Sequence, residues 1–361
     1  MKGILPKIAS ILLFLTVLVT VLGCGVQQPT GTLTIFHAGS LAAPFADLGE
    51  EFEESHPGVD IVFTSGGSAT VISNAIAQED AGESPPDIIA SADYKLIPDR
   101  LYAGGYADWN ILFARNTMVL CYRDGAPGSD AIVDGTRTWY DVLRNEPVSY
   151  GHSDPDQDPC GYRTLLVMQL AEKYYYDDAA GFGLEPDPDA ADLYDVLIPG
   201  TEHERGRVGG TSEARPSGSE EIVSAKSVDL ITALQSGDLD YAFEYRSVAV
   251  QHGLNFIELD DYINLSKTSA ELTGIEEFYA TASLEIKKGD TYEAQYGAAI
   301  VYGVTIPLNA ENDNLAAEYV ALLLSDSGKQ VMEVENGQPM LDPPICDRPE
   351  NLPESLQALF D

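Results

Sequence analysis

The chain has 361 residues, of which 58 are acidic and 20 basic, for a formal net charge of −38. Such an acid excess excludes a nucleic-acid-binding role, which depends on basic patches that release counterions from phosphates. An apolar fraction of 44% excludes a disordered chain, because it supplies enough surface to bury a core.

The first elements describe an exported protein. Lys2 and Lys7 precede an apolar run from Ile8 to Leu22, too short for a comfortable membrane span, which ends in Gly23-Cys24. A basic start, an apolar stretch and small exit residues have the layout of a signal peptide. The "VLGC" stretch resembles a lipobox. That resemblance implies that Cys24 is lipidated and that "GVQQPTG" tethers the protein to the outer face of the cell membrane. Folding then begins near Gly31 and involves roughly 330 residues, enough for two domains with real cores. Cys121, Cys160 and Cys346 remain, an odd number without a C-x-x-C pair. Neither a disulfide framework nor a zinc site is expected, and one disulfide with a free thiol stays open.

From Thr32, strand and helix alternate. "LTIFHA" reads as a strand, "PFADLGEEFEESHP" as a helix begun by Pro44 and stopped by His56-Pro57-Gly58, and "VDIVFTSG" as a strand. "SATVISNAIAQED" follows as a helix, then "DIIASA" and "NTMVLCY" as strands. Short apolar strands separated by amphipathic helices predict an α/β protein with mainly parallel sheets covered by helices. In the middle, "PVSYGHS" is a strand, "TLLVMQLAEKYYY" a helix, "SVDLITALQSG" a helix ending at Gly237, and "LDYAFEYRSVA" a strand running into a turn or helix. An acidic insertion at about 181–220 reads as a surface loop around one short apolar helix. The chain closes with the strand "GAAIVYGVTIP" and one long helix, "NLAAEYVALLLSDSGKQVMEVE", whose natural host is the first sheet. The expected division is therefore 32–114 with 301–361 as one lobe and 115–300 as the other.

Ligands of open α/β sheets sit beyond the carboxyl ends of strands, facing helix N-termini. Two such places stand out, "FHAGSLAAP" with Ser40 and "FTSGGSAT" with Ser68. Glycine lets backbone N–H groups approach an anion and serine adds a hydroxyl donor. Either serine alone could equally be a helix N-cap. The acidic loop "HSDPDQDPCGYR" is not a calcium loop: counted from Asp154, the sixth position is Pro159 and the twelfth Leu165, where an EF-hand needs Gly and Glu.

The stretches "HAGSL", "SGGSA", "PDIIASAD", "ARNTMVL", "SDPDQDPCGYR", "SVDLITALQSGDLDYAFEYRSVA" and "YGAAIVYGVTIP" occur in that order, from Thr32 to about Pro339. In them the chain resembles the exported molybdate/tungstate-binding proteins of archaeal-type ABC importers. The resemblance implies a type II periplasmic-binding-protein fold: two α/β lobes with mixed, mainly parallel sheets, joined by two crossover strands and closing on one oxyanion. It also implies that Ser40 and Ser68 donate hydroxyls to the anion. Asp158 of "DPCGYR" and Glu244 of "YAFEY" would ligate its molybdenum or tungsten directly, completing a distorted octahedron. The partners implied are an ABC permease and ATPase, with the protein a monomer. No cofactor is expected beyond the molybdate or tungstate ligand itself.

Alternatives remain at this stage. Asp154 could replace Asp158 as ligand, Asp156 is expected to face water, and Tyr162 and Arg163 to fix the loop or close the lobe interface. A ferric-ion protein would use tyrosines such as Tyr174, Tyr175 and Tyr176, but these lie roughly three turns along the helix from the proposed site. An exported hydrolase has no support, since neither G-x-S-x-G nor H-E-x-x-H occurs. His37 is read as a polar strand-end residue and not a base.

Overall fold

Strand β1 (Gly31–Ala38) is the start of the fold, and its apolar residues Leu33 and Ile35 are completely buried. The structure, a computed structural model, describes residues 30–198, 215–288 and 291–360. Cys24, the leader and the middle of the acidic insertion lie outside the described residues.

β1 pairs in parallel with β2 (Val59–Gly66) on one side and β3 (Ile88–Ser91) on the other. The helices Ala42–Ser55 and Ser68–Asp80 connect them, as a parallel pair requires. The first of these presents Phe45, Leu48 and Phe52 to the core at helical spacing. β4 (Ile111–Arg115), β12 (Val301–Thr305) and β13 (Met340–Cys346) complete a six-stranded sheet in the order β13-β4-β12-β3-β1-β2. The second sheet contains β5 (Met118–Tyr122), β6 (Ser149–Ser153), β7 (Glu220–Ser224), β8 (Tyr241–Tyr245) and β9 (Asn255–Glu258), in the order β7-β6-β8-β5-β9.

Both sheets are mixed, as expected, and their parallel pairs are β1–β2, β1–β3, β6–β7 and β6–β8. β12 and β13 return to the first sheet from outside its βαβ series, and they enter antiparallel, as β5 does in the second. The chain passes between sheets at Asn116-Thr117, which separate β4 from β5, and again just before β12. These passages are tied together: the Met118 N–H donates to the Asn264 carbonyl at 3.0 Å and the Ile300 N–H to the Leu265 carbonyl at 2.8 Å.

Besides β4, β7, β9 and β13, which have no counterpart among the expected strands, three elements differ from expectation. The helix expected from Thr164 begins at Pro159, because Asp158 caps it and proline suits the first helical position. The long C-terminal helix is interrupted: Asp313–Leu323 ends and Ser325 caps a new turn, accepting from the Gly328 N–H at 3.2 Å. An antiparallel pair, β10 (Ser283–Lys288) and β11 (Thr291–Tyr296), has no counterpart among the expected elements. The described part of the acidic insertion includes the short helix Leu193–Leu197, whose Leu193, Tyr194, Val196 and Leu197 are buried against the large core.

Candidate binding site between the two sheets

Ser40 follows β1, Ser68 follows β2, Asp158 follows β6, and Glu244 lies near the end of β8. All four are buried, with 3, 0, 7 and 0% of their surface exposed. The loops that carry them meet across the gap between the sheets. A Cβ placed on Gly67 would lie 2.2 Å from the Gln157 carbonyl oxygen and 3.3 Å from the Asp158 Cα. Only glycine lets the first sheet's loop come this close to the second's. An open cleft of about 450 Å³ beside this contact is lined by Ala69, Thr70, Arg100, Gln157 and Lys287 among others, but by none of the four residues, which are sealed behind it.

The motif around Asp158 makes local sense. Asp158 Oδ1 accepts from the Cys160 N–H at 3.1 Å, and Oδ2 from the Ser227 N–H at 2.8 Å. Gly161 then allows the first helical turn to press on the end of β6, since a Cβ there would meet the Ser153 carbonyl oxygen at 2.2 Å. The helix Pro159–Glu172 is buried along its whole length. Its N-terminus therefore points from inside the second lobe toward the first, where a dipole favours negative charge.

Glu244 is the most unusual group. Its Oε2 accepts from the Tyr245 N–H at 3.1 Å, but Oε1 is buried without a partner of hydrogen-bonding geometry among the described residues. Burial, and then the Asp158 carboxylate, push its pKa up to about 8, partly offset by the Tyr245 amide and the Ser227 hydroxyl. Burial also raises Asp158, against the opposing effect of its backbone donors. The Ser153 hydroxyl, at the end of β6, is buried without a partner of good hydrogen-bonding geometry, although it lies close enough to the Asp158 carboxylate to lower its pKa. Unmet buried polar groups are costly and rare, and these two make the contact the candidate site.

The serines are held from behind. Ser68 Oγ accepts from the Ala92 N–H at 2.9 Å, and Ser40 Oγ shares a hydrogen bond of 2.9 Å with the Tyr302 hydroxyl. Neither side chain caps its own helix. Tyr162 and Arg163 reach across instead of toward the four residues. The Tyr162 hydroxyl donates to Asp93 at 2.5 Å, and the Arg163 guanidinium donates to the Ala92 carbonyl at 2.7 Å and the Tyr245 hydroxyl at 2.6 Å.

Other candidates fall elsewhere. Asp154 builds the loop, accepting from the Asp156 N–H at 2.9 Å and from the Gln157 side chain. Asp156 does not simply face water: its Oδ1 accepts from the Lys287 N–H at 2.6 Å, tying β10 to the loop. Tyr174 stacks on Tyr262 and packs edge-on against Tyr175 and Phe182, so the tyrosine run serves an aromatic cluster. His37 is buried between Phe45 and Phe63, and burial lowers its pKa. All three described cysteines are free thiols, and no cluster of His, Cys, Asp and Glu arranged for a metal ion occurs among the described residues. Residues the sequence did not flag are Tyr302, Ala92 and the Ser227 amide. The last two act through backbone groups, which carry no side-chain signal.

Comparison with known proteins agrees with this architecture. The chain is 34% identical to the molybdate/tungstate-binding protein WtpA of Pyrococcus abyssi over 98% of each chain. It is 35% identical to WtpA of Thermococcus kodakarensis, over 91% of this chain and 87% of that one. An uncharacterized solute-binding protein of Methanoculleus marisnigri is 38% identical over 91% of this chain and 86% of its own. Among solved structures, the sulfate-binding protein SubI of Mycobacterium tuberculosis shares the fold at 13% identity, with a TM-score of 0.51 over 86% of this chain and 88% of that one. A family model for bacterial extracellular solute-binding proteins matches residues 33–335. Two mixed α/β sheets meeting at a sealed polar contact are what such a binder needs, and the chain belongs to the family of bacterial extracellular solute-binding proteins.

Proposed function

We propose that this protein captures a tungstate or molybdate dianion between its two lobes and delivers it to the permease of an ABC importer. It binds its solute and does not transform it, in keeping with its family. The lobes in this reading are 32–114 with 301–361, and 115–300. The protein works as a monomer held at the outer face of the membrane by a lipid on Cys24. Ser40 and Ser68 donate hydroxyls to the anion, and Asp158 and Glu244 ligate its metal.

The observation that carries this reading is Glu244, buried beside Asp158 with Oε1 unpartnered. Glu244 holds its proton below about pH 8 and must lose it to ligate; once both carboxylates are ionised, a dianion facing them is repelled by about 4 kcal/mol per unit-charge pair at 4 Å, even at an effective dielectric of about 20. Sulfur in sulfate offers nothing in return, whereas a large d0 metal centre can expand from four oxygens to six. The carboxylates then serve as ligands for one class of anion and as a repulsive filter against the rest. The nearby cation Arg163 offsets part of the Asp158 charge through space but hydrogen-bonds neither carboxylate, since its donors go to Ala92 and Tyr245.

Calorimetric titration with tungstate, molybdate, sulfate, phosphate and ferric ion tests the reading. Tungstate and molybdate should bind and should stabilise the fold by about 4 kcal/mol at a thousandfold excess over Kd. Equal stabilisation by sulfate would overturn it.

A further inference from the structure

The hydrogen bond behind Ser40 has a direction. Asn116, in the passage from β4 to β5, accepts on Oδ1 from its neighbour, the Thr117 N–H, at 3.0 Å and from the Ser247 N–H at 3.3 Å. Two backbone donors at Oδ1 settle which end of the amide is which, so Nδ2 is the end that faces the Tyr302 hydroxyl at 2.9 Å. Ser247 Oγ at 2.8 Å and Gln338 Oε1 at 3.2 Å lie within reach of the same Nδ2, so its two protons are shared among three acceptors. Gln338 is oriented in turn, because its Nε2 donates to the Arg115 carbonyl.

An amide nitrogen has no lone pair to offer, so the Tyr302 proton cannot point at Asn116. The remaining partner of the Tyr302 hydroxyl among the printed hydrogen bonds is Ser40 Oγ, at 2.9 Å. The Tyr302 proton therefore goes to Ser40, and the Ser40 proton must go elsewhere. Ser40 is buried and makes no other hydrogen bond among the described residues, so its proton needs an acceptor at the contact between the lobes. Ser68 is treated in the same way by different means, its oxygen already accepting from the Ala92 N–H.

We infer that Tyr302, oriented by Asn116, is a positioning residue that turns Ser40 into an obligate hydrogen-bond donor to the bound oxyanion. This rests on the oxyanion reading of the site. The relay starts at Asn116 in the first passage between sheets and runs through Tyr302 in β12, directly after the second. A donor whose direction is set before the ligand arrives loses little freedom on binding. Tyr302 itself does not touch the anion.

The test is a double-mutant cycle on the full chain with tungstate as titrant: parent, S40A, Y302F and S40A/Y302F, with melting of each ligand-free form. Y302F should weaken tungstate about tenfold with little change in melting, and the double variant should bind no more weakly than S40A, because Tyr302 acts only through Ser40. A structural role would give multiplying losses instead. N116D supplies a second arm: its carboxylate would take the Tyr302 proton and reverse the relay. Its loss should therefore be larger with Tyr302 present than when combined with Y302F, although the added charge is the same. Unchanged tungstate affinity in Y302F, multiplying losses in the cycle, or an N116D loss indifferent to Tyr302 would each overturn the relay while leaving the oxyanion reading intact. A parent protein that binds neither tungstate nor molybdate would overturn both.

Discussion

Ala92 holds Arg163 with its carbonyl, at 2.7 Å, and Ser68 with its N–H, at 2.9 Å. One residue after β3, through the two peptide groups that flank it, therefore fixes a buried cation of the second lobe and a buried hydroxyl of the first. Lobe closure and the shaping of the site share this residue.

Arg163→Gln should separate the two lobes without unfolding either. It removes a buried guanidinium that also donates to Tyr245 and lies 4.0 Å from Asp93. Breaking one side of such a buried network costs about 3–5 kcal/mol. Small-angle scattering should show a larger ligand-free radius of gyration, and tungstate affinity should fall at least tenfold. An unchanged radius together with unchanged affinity would mean that Arg163 does not hold the lobes together.

Gly67→Ala should do similar damage by sterics alone. The residue has φ −61° and ψ 138°, which alanine adopts freely, so backbone strain is not the issue. The added Cβ would sit 2.2 Å from a backbone oxygen, which cannot rotate away as a side chain could. Gly39→Ala meets nothing nearer than Val228 Cγ2 at 3.3 Å and should be tolerated. The expected outcome is a loss of tungstate affinity of about a hundredfold or more for Gly67→Ala, about 3 kcal/mol, and a small loss for Gly39→Ala. Equal effects would show that loop contact does not govern binding.

Much of this was legible in the sequence because it depends on side-chain type and period. Phe45, Leu48 and Phe52 declare a helix face, and the Gly-Ser pairs after β1 and β2 declare strand-end loops. Asp158 was visible as a carboxylate, but its cap, which moves the helix start from Thr164 to Pro159, was hidden by the apolar run that begins later. Tyr302 was illegible for a different reason. An aromatic residue in the apolar stretch "AIVYGVT" reads as core, and it is core, buried against Phe113 and Tyr245; only its hydroxyl has another use. The antiparallel pairs were not legible, because sequence shows which segments are strands but not which ones return from the far lobe.

Ligand-free stability should fall as pH rises from 7 to about 8. Glu244 titrates at about 8 when folded and near its ordinary value of 4.5 when unfolded. Between these values the native state binds more protons than the unfolded state, so stability declines with rising pH. The contribution is complete below about 4.5 and is lost through about 8. His37, held low by burial, tilts stability the other way only below about 6.5, and the Cys121 and Cys160 thiols, held high by burial, extend the decline only from about pH 8 upward, so a window of pH 7 to 8 isolates Glu244. Denaturant titrations should show a loss of about 1 kcal/mol across that window. Glu244→Gln should remove the slope, and a slope that survives it would assign the effect to another group.

The same substitution separates ligation from mere acidity. Glu244→Gln keeps the shape of the side chain, but the Tyr245 N–H claims its carbonyl oxygen and leaves the amide nitrogen where the unpartnered Oε1 now lies, so the charge and the ligating power are both removed. Tungstate should then bind at least a hundredfold more weakly, because the metal loses an anionic ligand. At pH 9, where Glu244 of the parent is ionised, sulfate should bind no worse and even better, because the repulsion of about 4 kcal/mol per charge pair is relieved. The two effects have opposite signs only if the carboxylate touches the metal. A variant that weakens every anion alike would make Glu244 a wall of the cleft. X-ray absorption supplies the direct reading: six oxygens around tungsten in the parent and fewer in the variant are expected, whereas four in the parent would remove Asp158 and Glu244 from the coordination sphere.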